Sequence, residues 1–376
     1  MTPDSMSAVA VLTDSARPHY RDNPSVTTFN MHGQPVHIAM VRVPAPRFSP
    51  ASAEHRNKVL LQIRAFSCNY RDQSMIMFAA KRSGAGFYVV GSEFSAEVIA
   101  VGQDVQDLHP GDRVIPNCAY LGMIPGVPSG IPTNHASAEF QVHAAHRLIR
   151  IPGSMDWITG AAFPIGAQTV YSMVRKIGAR PGLNVLVTAA RSNTSLFAIS
   201  ALSAISSNVY ALTSSQQDTE KLLSLGAKEV FVVERSVSKL LMDERVRETV
   251  ERIGGFNAVI DPFFDAYLGK VLPTMAPDSR YITCGLFEQY TVPGKEANAV
   301  AGEMYRNALI NAMLNNVHII GNCIGTTKDL QHALTDYERE RLPVIIDTVY
   351  TGHNVGAFLE RTYGSHSRFG KIVFQY

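Results

Sequence analysis

Val185-Leu186-Val187-Thr188-Ala189-Ala190-Arg191-Ser192-Asn193-Thr194-Ser195 is the stretch on which the fold turns. A short apolar run leads into small polar residues, and an apolar segment, 196–205, follows at once. The first run reads as a buried strand and the second as a helix, with Ser and Asn at its start. That helix is apolar nearly all round, which predicts burial against a sheet. Further strands are expected at 209–212, 230–233, 258–260, 280–283 and 317–320, with helical segments such as 219–225 between most of them. Six strands at this spacing describe a doubly wound parallel sheet, the α/β class.

The chain before this region has a different pattern. From Pro35 to Pro152 short β signals at 59–63, 97–101 and 112–115 are separated by turns such as Pro110-Gly111-Asp112. This part reads as a small all-β barrel or sandwich, preceded by a polar leader over residues 1–28. The tail does not extend the alternation. It predicts a helix over 328–341, a strand over 345–349, a helix over 355–363 and a strand over 371–375, returning to complete the β region. The expected domains are therefore 1–152 with 325–376, and 153–324.

Bulk properties narrow the function. The 376 residues carry a formal net charge of +2 with the basic residues scattered, so neither nucleic acid nor a membrane surface is an expected partner. No segment approaches the roughly 18 apolar residues a membrane span needs. The N-terminus has no secretory pattern. Cys68, Cys118, Cys284 and Cys323 lie far apart, as free thiols in a reducing cytoplasm would.

A strand that turns directly into a helix is where a dinucleotide pyrophosphate sits, because free N–H donors and a partial positive charge meet there. The usual glycine fingerprint is absent. Small side chains stand in its place, and Ser192, Thr194 and Ser195 are candidate hydroxyl donors to phosphate, with Arg191 and Asn193 beside them. The alternative is a Ser/Asn helix cap and nothing more. At the end of the second strand an NAD site carries a carboxylate for the ribose. Here Thr213-Ser214-Ser215 stand there, followed by Lys221, which favours the 2′-phosphate of NADPH. The competing reading is a polar turn before a solvated helix.

Several stretches in order carry a family resemblance: Asn69-Tyr70-Arg71-Asp72, Gly91-Ser92-Glu93-Phe94-Ser95, Gly111-Asp112-Arg113-Val114, Gly166-Ala167-Gln168-Thr169-Val170-Tyr171, Leu225-Gly226-Ala227 and Gly370-Lys371-Ile372-Val373. The chain resembles the quinone-oxidoreductase and enoyl-reductase branch of the medium-chain dehydrogenase/reductases, from about Val59 to Tyr376. The resemblance implies a Rossmann-type sheet plus a GroES-like β-barrel catalytic domain. It also implies a small-molecule substrate and a homodimer paired through the edge strand at 317–320. Zinc-dependent members hold metal with a Cys and a His where this chain has Asn69 and Ser92, so no metal is expected. Cys68, one position early, reads as a small buried hydrophobe.

Zinc-free relatives of this kind pass a hydride from NADPH to an activated C=C or a quinone. The resemblance places Asn69 near the nicotinamide, Thr169 beside the cofactor, and Cys284, Gly285 and Leu286 along the nicotinamide amide. Asn69 and Tyr70 are the catalytic candidates. Tyr70 is the expected donor to the substrate oxygen, the alternative being that its ring only packs. Asp72, Arg71 and Glu93 are expected to be structural. The loop 120–132 and the segment 288–304 are expected to line the substrate pocket. Aldehyde or ketone reduction, and a lapsed reductase that binds without turnover, are the competing functions.

Overall fold

The computed structural model describes residues 3–119, 135–288, 299–365 and 367–376, leaving aside the side chains of 299–304. The chain divides into two compact units, residues 1–165 with 346–376, and residues 166–345.

The first unit contains β1 (Ser5–Leu12), β2 (Thr27–Met31), β3 (Gln34–Pro44), β4 (Lys58–Ser67), α1 (Asp72–Ala80), β5 (Phe87–Val89), β6 (Glu93–Val101), β7 (Arg113–Pro116), β8 (Phe140–Ala144), β9 (Leu148–Arg150) and α2 (Trp157–Ala162). The tail adds β16 (Ile346–Thr351), α10 (Val355–Tyr363) and β17 (Lys371–Gln375). One sheet runs β2-β3-β1-β5 and the other β16-β17-β4-β6-β7-β9, with β8 also paired to β4. The returning tail therefore closes the β unit as the sequence led one to expect, Phe374 lying opposite Phe66.

The expected polar leader is a correction. Residues 5–12 form β1, paired along its whole length with β3. Ala8 to Leu12 are essentially inaccessible to solvent. A strand buried on both faces loses the polar–apolar alternation by which strands are recognised, and two alanines weakened the apolar signal further.

The second unit carries the rest of α3 (Pro164–Lys176), then β10 (Asn184–Val187), α4 (Asn193–Ala204), β11 (Asn208–Thr213), α5 (Thr219–Ser224), β12 (Glu229–Val232), α6 (Glu244–Ile253), β13 (Phe256–Asp261), α7 (Phe264–Val271), β14 (Met275–Thr283), α8 (Ala299–Leu314), β15 (His318–Gly321) and α9 (Thr327–Glu338). Its six strands are ordered β12-β11-β10-β13-β14-β15, all parallel. That is the 3-2-1-4-5-6 order of a dinucleotide-binding sheet. Every residue of α4 from Ser195 to Leu202 is buried, as its all-round apolar face requires.

The divisions differ from the expected 152/153 and 324/325. Helix α2 belongs to the β unit because Ser67 and Ser95 donate hydrogen bonds to the α2 carbonyls of Ala161 and Trp157. Helix α9 stays with the parallel sheet because Asp329 takes a bidentate pair from Arg175 at 2.9 Å, and Asp336 accepts from Tyr171 at 2.6 Å. Both bonding partners lie on α3, so side-chain ties that no local pattern reports decide where the unit ends.

Candidate functional site

The first unit gathers a buried polar network around Asn69, in the turn after β4. Antiparallel pairing of β4 with β6 sets Glu93 opposite Ser67. β17 lies on the other side of β4 and begins with Lys371. The Lys371 ammonium is buried and donates to Glu93 Oε1 at 2.5 Å and to Asn69 Oδ1 at 2.8 Å. The Asn69 amide nitrogen donates to Ser92 Oγ at 3.0 Å and to Glu93 Oε1 at 2.8 Å. Ser92 donates onward to Asp72 Oδ2 at 2.6 Å, which also accepts the Asn69 backbone N–H at 2.8 Å. Glu93 Oε2 accepts from the backbone N–H of Ile165 at 2.8 Å.

This geometry changes the role expected of Asn69. Both protons of its amide and its carbonyl oxygen are already engaged, so the side chain is a fixed brace rather than a donor to substrate. Asp72, buried at the start of α1, is raised above the ordinary carboxylate range by desolvation, against the pull of Arg71 and the Ser92 bond. Cys68 is buried and its thiol is pushed up by desolvation, so it behaves as the small hydrophobe expected and not as a thiolate. Tyr70 and Arg368 are both half-buried and interact electrostatically. Tyr363 donates to the Asn69 carbonyl at 3.1 Å. Among the described residues no group of three or more His, Cys, Asp or Glu is placed to hold a metal ion.

The second unit holds the strand-to-helix turn. Ala189 sits in the left-handed region at φ 45°, where glycine would be unstrained. Ser192 is the N-cap of α4, its oxygen accepting the Ser195 N–H at 3.3 Å. Ser195 is fully buried and donates to the Thr188 carbonyl at 2.7 Å. The expectation that Ser195 binds phosphate is therefore corrected: its hydroxyl faces inward and stitches the turn to β10. Asn193 faces α3, where a Cβ at Gly166 would come within 2.8 Å of the Asn193 amide nitrogen. Arg191, Ser192, Asn193 and Thr194 are half-buried. An N-cap serine, small neighbours and the first turn of a twelve-residue helix fit a pyrophosphate.

The other expected cofactor residues fall in the same unit. Thr169 is buried on α3. Cys284, Gly285 and Leu286 follow β14, the Gly285 carbonyl accepting from Phe264 N–H at 3.2 Å. Thr213 is buried at the end of β11, and its Oγ1 accepts the Ser215 N–H at 3.3 Å, so it supports the turn from within. Ser214 is exposed. Lys221 and Arg191 both meet Asp218, at 2.8 and 3.1 Å. The expected pocket loop at 120–132 and most of 288–304 lie outside the described residues.

Sequence reasoning assigned no role to Lys371, Tyr363, Asp218 or Asp261. Asp261, at the end of β13, is fully buried, and among the described residues no cation pairs with it. It accepts from Thr188 Oγ1 at 2.6 Å, from the Phe263 N–H at 2.9 Å and from the Tyr281 hydroxyl. Desolvation outweighs those three bonds and pushes its carboxyl up to about 6. Lys371 stood in a quoted stretch, and its lysine in a strand otherwise apolar was the available signal of a buried ion pair.

Comparison with known proteins agrees with this architecture. Residues 55–153 match the alcohol dehydrogenase GroES-like domain. A zinc-type alcohol dehydrogenase-like protein of Schizosaccharomyces pombe is 23% identical over 331 residues, 85% of this chain and 90% of that one. Quinone oxidoreductase-like protein 2 of Mus musculus is 29% identical over 203 residues, 53% of this chain and 52% of that one. The chain thus spans about half the length of the mouse relative. The structure of a crotonyl-CoA carboxylase/reductase in complex with NADP superposes with a TM-score of 0.75 at 16% identity, covering 100% of this chain and 96% of that one. A GroES-like domain followed by a Rossmann-type sheet gives the chain the two-part architecture of the medium-chain dehydrogenase/reductase superfamily, which it resembles in sequence and in fold.

Proposed function

We propose that the chain is a zinc-independent reductase that takes a hydride from NADPH and delivers it to a small molecule bearing an activated C=C or a quinone. The observation that carries this reading is the network around Asn69. Where zinc-dependent relatives need a thiolate and an imidazole, an amide and a hydroxyl stand here, and both are consumed by Lys371, Glu93 and Asp72. Neither is a good zinc ligand. A conjugated carbonyl can bear the developing negative charge if donors face it, so no metal is required. Tyr70 is the proposed donor.

NADPH, when bound, supplies the hydride, and the residues of this chain supply its placement. Thr194 would face the pyrophosphate, while the Ser192 hydroxyl donates to Ser195 Oγ at 3.0 Å and caps the helix instead, and Ser214, Ser215, Arg191 and Lys221 would face the adenosine end. The NADP held by the crotonyl-CoA carboxylase/reductase neighbour supports that choice. The apolar side chains of Leu309, Met313 and Leu314 on α8 and of Ile319 on the terminal strand β15 are each exposed. An uncovered apolar edge of this kind supports a homodimer. Four free cysteines suit the cytoplasm, and among the described residues no helix is long and apolar enough to cross a membrane.

The experiment is NADPH oxidation by the chelator-treated protein against a panel of enones, quinones and saturated aldehydes. Oxidation with the enones or quinones, unchanged by chelation, is expected. Turnover confined to saturated aldehydes, or restored only by zinc, would overturn the reading. Binding without turnover is the second reading, and the inward hydroxyl of Ser195 and the strained Ala189 favour it. A titration of NADPH fluorescence that shows no nucleotide binding would favour it.

A further inference from the structure

The end of β11 is expected to lack a carboxylate, and in the strand itself it does. The structure brings one in from further along the loop. Asp218 adopts the left-handed conformation, φ 68°, which turns its side chain back toward the β10–α4 turn. Its Oδ2 lies 3.1 Å from the Arg191 guanidinium and its Oδ1 2.8 Å from the Lys221 ammonium. The Asp218 side chain is only 6% exposed and that of Arg191 11%, whereas Lys221 is largely in solvent. The two cations that could meet a 2′-phosphate therefore already converge on an anion of the chain's own.

We propose that Asp218 is a specificity-determining residue: its carboxylate is the internal counterion of Arg191 and Lys221 and competes with the 2′-phosphate of NADPH for them. This rests on the reading that the end of β11 faces the adenosine ribose. With the carboxylate the three side chains sum to one positive charge, and without it to two. A 2′-phosphate is close to a dianion at neutral pH, so losing the carboxylate favours NADPH and is nearly indifferent for NADH. Asp218 thereby sets how strongly the site prefers one nucleotide, while Thr213, buried beneath the turn, does not.

Asp218→Asn is the discriminating variant, because asparagine tolerates the left-handed conformation as aspartate does. Dissociation constants for NADPH and NADH are measured by calorimetry at equal ionic strength, with 2′,5′-ADP and 5′-AMP as probes of the adenosine end alone. The preference for the 2′-phosphorylated member of each pair should rise about tenfold in the variant, the size of one charged hydrogen bond. Lys221→Gln, which changes an exposed side chain, should lower the preference. A preference that Asp218→Asn leaves unmoved or lowers overturns the proposal while the cofactor reading stands. Binding of neither nucleotide by any form overturns both.

Discussion

Two buried carboxylates, one in each unit, are kept inside the protein by opposite means. Glu93 of the β unit has a buried ammonium against it, Lys371, and shares that cation with Asn69. Asp261 of the parallel-sheet unit has, among the described residues, neutral donors only, two hydroxyls and an N–H. The first carboxylate is balanced by charge and the second by hydrogen bonds alone. A cation–carboxylate pair removed from water makes each partner indispensable to the other. Neutral donors leave a carboxylate near the point of taking up a proton, which is why burial pushes Asp261 up to about 6. The support under the nucleotide turn is therefore sensitive to pH.

The most damaging way to break this contrast is Lys371→Met. It strands Glu93 without its cation, and loss of about 3–5 kcal/mol of stability is expected from chemical denaturation. Adding Glu93→Gln to that variant should recover a large part of the loss, because no lone charge then remains buried. A single variant as stable as the parent would show that the pair does not balance the site.

The second contrast is in pH. Between about 4 and 6 an unfolded aspartate has given up its proton, while folded Asp261 retains it. The folded form then binds more protons, so this group's contribution falls as pH rises through that window and is flat on either side. Unfolding free energies of the parent and of Asp261→Asn should diverge by roughly 2–3 kcal/mol across the window, the parent losing stability relative to the variant. Parallel curves would mean that Asp261 does not titrate there.

Smaller effects test the turn itself. Ser195→Ala removes the bond from the buried hydroxyl to the Thr188 carbonyl and should cost about 1 kcal/mol, with nucleotide affinity changed only slightly. A large, selective loss of affinity would return Ser195 to the phosphate. Ala189→Gly relieves the left-handed strain at φ 45°, partly offset by the extra freedom of glycine in the unfolded chain. A gain below about 1 kcal/mol is expected, seen as a small rise in melting temperature.

Much of the parallel sheet was legible because each of its strands is bounded by a helix of different period. Residues 355–363 and 371–375 match α10 and β17 to the residue. β1 was not legible, since a strand covered on both faces has no alternation to read. The site was legible as residue types but not as directions. Ser195 carries the expected hydroxyl, yet nothing local shows that it points into the helix–sheet interface. Lys371 stands 302 positions from the Asn69 it braces, so only the closed sheet brings the two together. Asp218 reads as an ordinary loop residue until its backbone turns it toward Arg191.

This glycine-poor turn is expected to serve NADPH still. Calorimetric titration of the purified, metal-free protein tests it most directly. One NADPH per chain is expected, bound about 10- to 100-fold more tightly than NADH, as one or two charged contacts to a 2′-phosphate would give. Equal affinity for the two nucleotides, or no binding of either, would contradict it.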